Sequence, residues 1–284
     1  MRDVGNGISE RSLAFKPGFE VDGEIVCRTF QPSYVVARDG VLIAFCQGRL
    51  RGGSDDDPKI VLMSRSDDWG ATWSPAKAVS GRMNHYAMSA YLAARNGRER
   101  ISVLTMVDLR VTEALYEKDY GKMQAQTGID IDALGRDTPM VLCRFDSEDG
   151  GDNWTMETLL GDRTPLNHRY PDGTLIMFNP VGQVHVIPEG PHAGRYIVGG
   201  PVTVVPERDP LTNHFRNHVQ SGSAVIYSDD QGTTWRTDGF ITDYLGNEAS
   251  AVSINHGAEL LLVVLQLPEL LPQPLHQCAE AQPL

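Results

Sequence analysis

The chain is short of basic charge. Its 25 Lys and Arg face 37 Asp and Glu, a net charge of −12 with no basic stripe. That argues against nucleic acid as a partner. An acidic surface of this kind mainly keeps a protein soluble, and it still admits an anionic ligand where a few arginines reverse the local field. Cysteine is scarce too. Cys27, Cys46, Cys143 and Cys278 form no CxxC pair and no zinc pattern, and the first two sit in apolar strand-like runs. Buried free thiols are therefore expected. The eight histidines, among them His168, His185, His192, His214 and His218, do not fall at metal-ligand spacing on one element, and neither metal nor cofactor is called for. The longest apolar run, Leu260 to Leu265, is far too short to span a bilayer. The opening MRDVGNGISERSLAF lacks an apolar core, so no secretory signal is visible and a cytoplasmic location is the default. Amphipathic helical periods are few. The polar stretch from Val111 to Ala133 suits a short helix or a long loop.

Short β-type runs are plentiful: YVVA with VLIAFC, KIVLMS, ISVLTMV, PMVLCRF, GTLIMF, RYIVGG, SAVIYS and ELLLVVL. Turn signals such as ARDGV, NGRE, PDGT and NHG separate them. Many short strands in 284 residues point to an all-β propeller or sandwich.

Three octapeptides decide between these: SDDWGATW from Ser66, SEDGGDNW from Ser147 and SDDQGTTW from Ser228, each starting 81 residues after the last. Each follows a β-run and precedes another extended segment, so each reads as a hairpin turn. Ser and Asp side chains hydrogen-bond nearby amides, Gly supplies a positive φ, and the Trp folds back to pack. Such a device needs no ligand.

The octapeptides resemble the Asp-boxes of the sialidase (neuraminidase) superfamily, and the resemblance runs from about Val21 to about Leu262. It implies an all-β, six-bladed β-propeller, here incomplete at about four blades. Residues 1–20 read as an N-terminal extension, 21–264 as propeller and 265–284 as an atypical Leu/Pro/Gln-rich tail. The stretch TFQPSYVVARDGVLIAFCQGR looks like the family's opening segment, but the first arginine of the family's carboxylate-gripping triad falls on Phe30. Arg28, two residues earlier and so on the same strand face, is the nearest substitute. Counting back from Arg65-Ser66, Asp55 matches the acid/base aspartate on a loop, with Arg49 six residues before it as a carboxylate or hydroxyl contact. Asp56 is a one-residue slip away. Glu248, in a Gly-x-Asn-Glu segment with Asn247 shaping the turn, matches the glutamate that polarises a catalytic tyrosine. Gly190, Pro191, Gly194 and Arg195 fit an architectural hairpin, in which Arg195 makes a structural hydrogen bond. Arg169 and Tyr170 are candidates for lining a pocket.

The resemblance stops near Leu265, where the family expects a second triad arginine, and only 49 residues follow Trp235. The third arginine and the tyrosine are not matched, and the tail looks like a truncation, a reading-frame change or a tail that never evolved as a propeller. The resemblance implies a retaining, metal-independent exo-α-sialidase acting on sialylated glycans. Two alternatives stay open: a non-catalytic carbohydrate-binding or scaffold propeller, and a hydrolase for a different sugar. Uncovered blade faces predict self-association.

Overall fold

The computed structural model describes residues 13–21, 23–50, 57–95, 97–134, 140–159, 168–169, 175–205, 219–237, 240–241, 246–254, 259–266 and 282–283. Asp55, Asp56, Tyr170 and Cys278 lie outside them. The described strands form four sheets, in keeping with the incomplete propeller of about four blades that the resemblance implies. The chain falls into two compact units, one of residues 1–139 and 143–158, the other of 140–142 and 159–284.

In the first unit, β1 (Glu20–Val21), β2 (Glu24–Val36), β3 (Leu42–Leu50), β4 (Lys59–Ser66) and β5 (Lys77–Ala78) lie in simple chain order. Consecutive strands pair antiparallel, the pattern of a meander. The Asp39-Gly40 turn places Gly40 at φ 84° and closes with the Val41 amide donating to the Asp39 carboxylate. Strand β4 is buried along almost its whole length, the signature of a strand covered on both faces. Val21, Val26, Cys46, Leu50, Ile60 and Leu62 form one core cluster.

Next come β6 (His85–Arg95), β7 (Arg98–Asp108), α1 (Leu109–Leu115), α2 (Tyr120–Thr127), α3 (Ile131–Leu134), β8 (Met140–Ser147) and β9 (Thr155–Leu159), with the strands again ordered β6-β7-β8-β9. The Val111 to Ala133 stretch is thus helical in three short pieces. Asp119 caps α2 by accepting from the Lys122 amide, and Gly128 at φ 76° ends it. Strand β6 was not anticipated: HYAMSAYLAAR opens on polar residues and carries alanines, which hide a β-pattern. Behind it, Arg144 donates to Asp146 (2.9 Å) and Glu157 (2.8 Å), while Ser102 donates to Asp146 (2.7 Å).

In the second unit, β10 (His168–Arg169), β11 (Leu175–Phe178), β12 (Gly182–Gln183), β13 (His185–Val186), β14 (Tyr196–Val205), β15 (Val219–Ser228) and β16 (Phe240–Ile241) precede β17 (Gly246–Ile254), β18 (Glu259–Gln266) and β19 (Gln282–Pro283). One sheet runs β10-β11-β14-β15-β16 with β13 also on β14, and another runs β17-β18-β19. Gly199 on β14 explains part of the GG pair in RYIVGGPV. A Cβ there would sit 3.1 Å from the Ala249 carbonyl and from the Ala251 amide, so glycine lets β17 approach closely. The two-residue β19 was not anticipated; Pro283 is tolerated because it sits on a sheet edge.

Candidate functional site

The three octapeptides are built alike. Each Ser hydroxyl donates to its Asp at 2.7–2.8 Å and accepts from the Gly amide at 2.7–2.9 Å. The same Asp accepts from the backbone and side chain of Thr72, Asn153 or Thr234. These bonds hold the Asp68 and Asp149 carboxyls down at about 2, because each donor favours the ionised form. A carboxylate so engaged is not a proton donor at neutral pH. For Asp230, burial works upward, and the bonds from Thr234 and Ser228 outweigh it to leave the carboxyl below its ordinary value.

Two details were hidden in the sequence. The residue before each Gly is also left-handed: Trp69 at φ 57°, Gly150 at 75° and Gln231 at 58°. The Trp residues also differ in setting. The Trp154 indole N–H donates to the Gly151 carbonyl at 3.0 Å, and its ring meets Phe45 edge-on at 5.9 Å. Trp235 is fully buried. Arg195 pairs in two-pronged fashion with Asp229 inside the third octapeptide (2.8 and 3.1 Å), the structural role expected of it. A pocket of about 330 Å³ near the second octapeptide is lined by Arg65, Arg98, Glu99 and Asp149 among others. Its Glu99 and Asp149 already accept backbone hydrogen bonds.

The opposite ends of the first unit's strands are different. Arg49 on β3 faces Arg28 on β2 and Lys59 on β4 in direct register, so the three cations project from one face. Phe30 pairs with Gln47 on the same strands. The Arg49 guanidinium carbon lies 3.7 Å from the centre of the Phe30 ring, and its Nε donates to Gln47 at 3.3 Å. Gln47 in turn donates to the carbonyls of His85 (2.6 Å) and Tyr86 (3.2 Å). Lys59 is buried. Its Nζ donates to Asn84 Oδ1 at 2.6 Å and sits 4.8 Å from the Tyr86 ring centre.

His85 is fully buried between the Ser80 hydroxyl (2.9 Å) and the Thr105 hydroxyl (3.2 Å). Burial, aided by the Lys59 charge, pulls it down to about 3, so it is neutral. Neighbouring Gln31 takes a left-handed φ of 50° within an irregular stretch between Phe30 and Ser33. A non-glycine residue held there stores strain of the sort found at binding sites.

Of the four residues singled out from the sequence, Arg49 stands at the centre of this cluster. Arg28 is its strand partner and is exposed. Asp55 is outside the described residues. Glu248 lies on β17 opposite Leu265. Sequence reasoning missed Lys59, Asn84, His85 and Tyr86. The available signal was a polar NHY triplet opening an otherwise apolar run. Among the described residues, no three His, Cys, Asp or Glu gather as a metal site.

No protein-family model matches the chain. In sequence it is 29% identical over 238 residues to a sialidase of Micromonospora viridifaciens, covering 81% of this chain and 32% of that protein. In structure it is similar to the intramolecular trans-sialidase from Ruminococcus gnavus in complex with oseltamivir carboxylate: TM-score 0.53, 13% identity, 84% of this chain and 66% of that one. It is also similar to the leech intramolecular trans-sialidase complexed with 2,7-anhydro-Neu5Ac: TM-score 0.56, 13% identity, 91% of this chain and 50% of that one. The chain therefore spans about a third of the length of the curated relative it matches.

Proposed function

With a sialidase as its sequence relative and the sialidase-type propeller as its fold, we propose that this chain carries part of a glycoside-hydrolase site for terminal sialic acid. The relationship over 238 residues is the observation that supports the reading most. Arg49 contacts the sugar's carboxylate or a hydroxyl, since a guanidinium fork matches a carboxylate. Asp55 serves as acid and then base in a retaining mechanism. It protonates the departing glycosidic oxygen, and after the aglycone leaves it takes a proton from the attacking water. Glu248 draws the proton from a tyrosine nucleophile, which this chain's matched segment does not supply. A carboxylate nucleophile is disfavoured by the substrate's own negative charge.

A second reading, glycan binding without turnover, is favoured by one observation: the ring of Phe30, the residue that the resemblance aligns with a triad arginine, stacks on Arg49. The two separate in one assay. Release of a fluorogenic aglycone from an α-sialoside by the purified chain, lost in Asp55→Ala, supports hydrolysis. No release above the Asp55→Ala background, with retained sialoside binding, supports the second reading.

A further inference from the structure

Where the resemblance expects a cation at position 30 the chain has Phe30, and the register row brings Lys59 of β4 beside Arg49. Exposure falls along the row: Arg28 is exposed, Arg49 half-buried and Lys59 only 1% exposed. The ammonium of Lys59 is fixed by Asn84 and the Tyr86 ring, and its charge helps keep His85 neutral. Asn84 is fully buried, and its Nδ2 has no hydrogen-bond partner among the described residues. That is a donor placed beside the ammonium, and a buried donor without an acceptor is costly unless a ligand or water meets it. Stacking on Phe30 occupies a face of the Arg49 guanidinium, and its Nε donates to Gln47.

We propose that Lys59 is a positioning residue for the ligand's anionic group. It does not touch that group. It sets a second positive charge behind Arg49, doing from β4 what a guanidinium at position 30 would do from β2. The inference rests on the sialic acid reading above and adds its consequence. One fork backed by a buried point charge demands negative charge on the ligand but not the geometry of several converging forks. The site therefore favours the carboxylated sugar over its neutral ester, which binds more weakly.

The test compares 2,3-dehydro-2-deoxy-N-acetylneuraminic acid with its methyl ester, each titrated into the full chain by calorimetry. The wild type is expected to prefer the acid by about tenfold or more, roughly one charge contact. Lys59→Met should lower the ratio several-fold, short of parity because Arg49 remains, without changing ester affinity, and Lys59→Arg should restore it. Asn84→Asp, which sets a carboxylate beside the ammonium, should lower the ratio too and serves if Lys59→Met does not fold. An acid preference undiminished in the folded variants overturns the proposal, since a merely structural lysine would leave the ratio alone. Equal binding of acid and ester by wild type overturns it while the glycan reading stands. Binding of neither overturns both.

Discussion

Replacing Gly151 with alanine should destabilise the first unit by about 3 kcal/mol, for two separable reasons. Gly151 has φ 96°, a left-handed conformation. There a Cβ costs roughly 1–2 kcal/mol from its own backbone. The residue is also buried, and a Cβ would lie 2.5 Å from Met63 Sδ and 2.9 Å from Met63 Cε. Crowding a packed core in this way costs roughly 1–3 kcal/mol, eased here because a thioether end can swing. Gly97 is the control. It sits in the hairpin turn between β6 and β7 at φ 76°, and a Cβ there meets nothing within 4 Å. Gly97→Ala should therefore cost only the backbone part, about 1 kcal/mol. Urea unfolding followed by circular dichroism gives both numbers. Repeating Gly151→Ala in a Met63→Ala background should remove the excess over Gly97→Ala, as coupled neighbours must. If Gly151→Ala costs no more than Gly97→Ala, or if the excess survives loss of the Met63 side chain, the reasoning about close approach is refuted.

The octapeptide aspartates predict an acid-labile clip. Asp68 and Asp149 are held at about 2 against an ordinary value near 3.9, so their contribution is complete above about pH 4 and is lost as pH falls through 2. Melting temperatures measured from pH 5 to pH 2 should fall less steeply in Asp68→Asn than in wild type; an unchanged slope contradicts the assignment. His85 acts over a higher range. It is held at about 3 when folded and titrates near 6.5 when unfolded, so the unfolded chain takes up its proton first and stability declines as pH drops from 6.5 towards 3. His85→Gln, compared with wild type by denaturant titration at pH 7 and pH 5, should lose that part of the decline. Under the hydrolase reading, any sialoside turnover by the chain should be lost in Asp55→Ala while the protein still melts cooperatively, because the role proposed for that carboxyl is chemical; turnover equal to wild type contradicts it.

Local chemistry made much of this protein readable. The Ser-x-Asp-x-Gly-x-x-Trp pattern encodes its own hydrogen bonds within eight residues, so the three hairpins, their flanking strands and the all-β class followed from the chain itself. Arg195 was expected to be structural from the resemblance of its hairpin, and it pairs with Asp229. What the sequence could not show depends on pairing between distant strands. That Arg49 stacks on Phe30 and faces Lys59 follows from the register of β2, β3 and β4, and a one-residue slip would send those side chains to the other face. That the NHY triplet closes over Lys59 follows from how β4 meets the start of β6, residues some 25 positions apart. Sequence by itself determined the turns and the class of fold, because those are set by nearest neighbours. Only the tertiary structure decided which charges share a face, because burial and cross-strand register are properties of strands already paired.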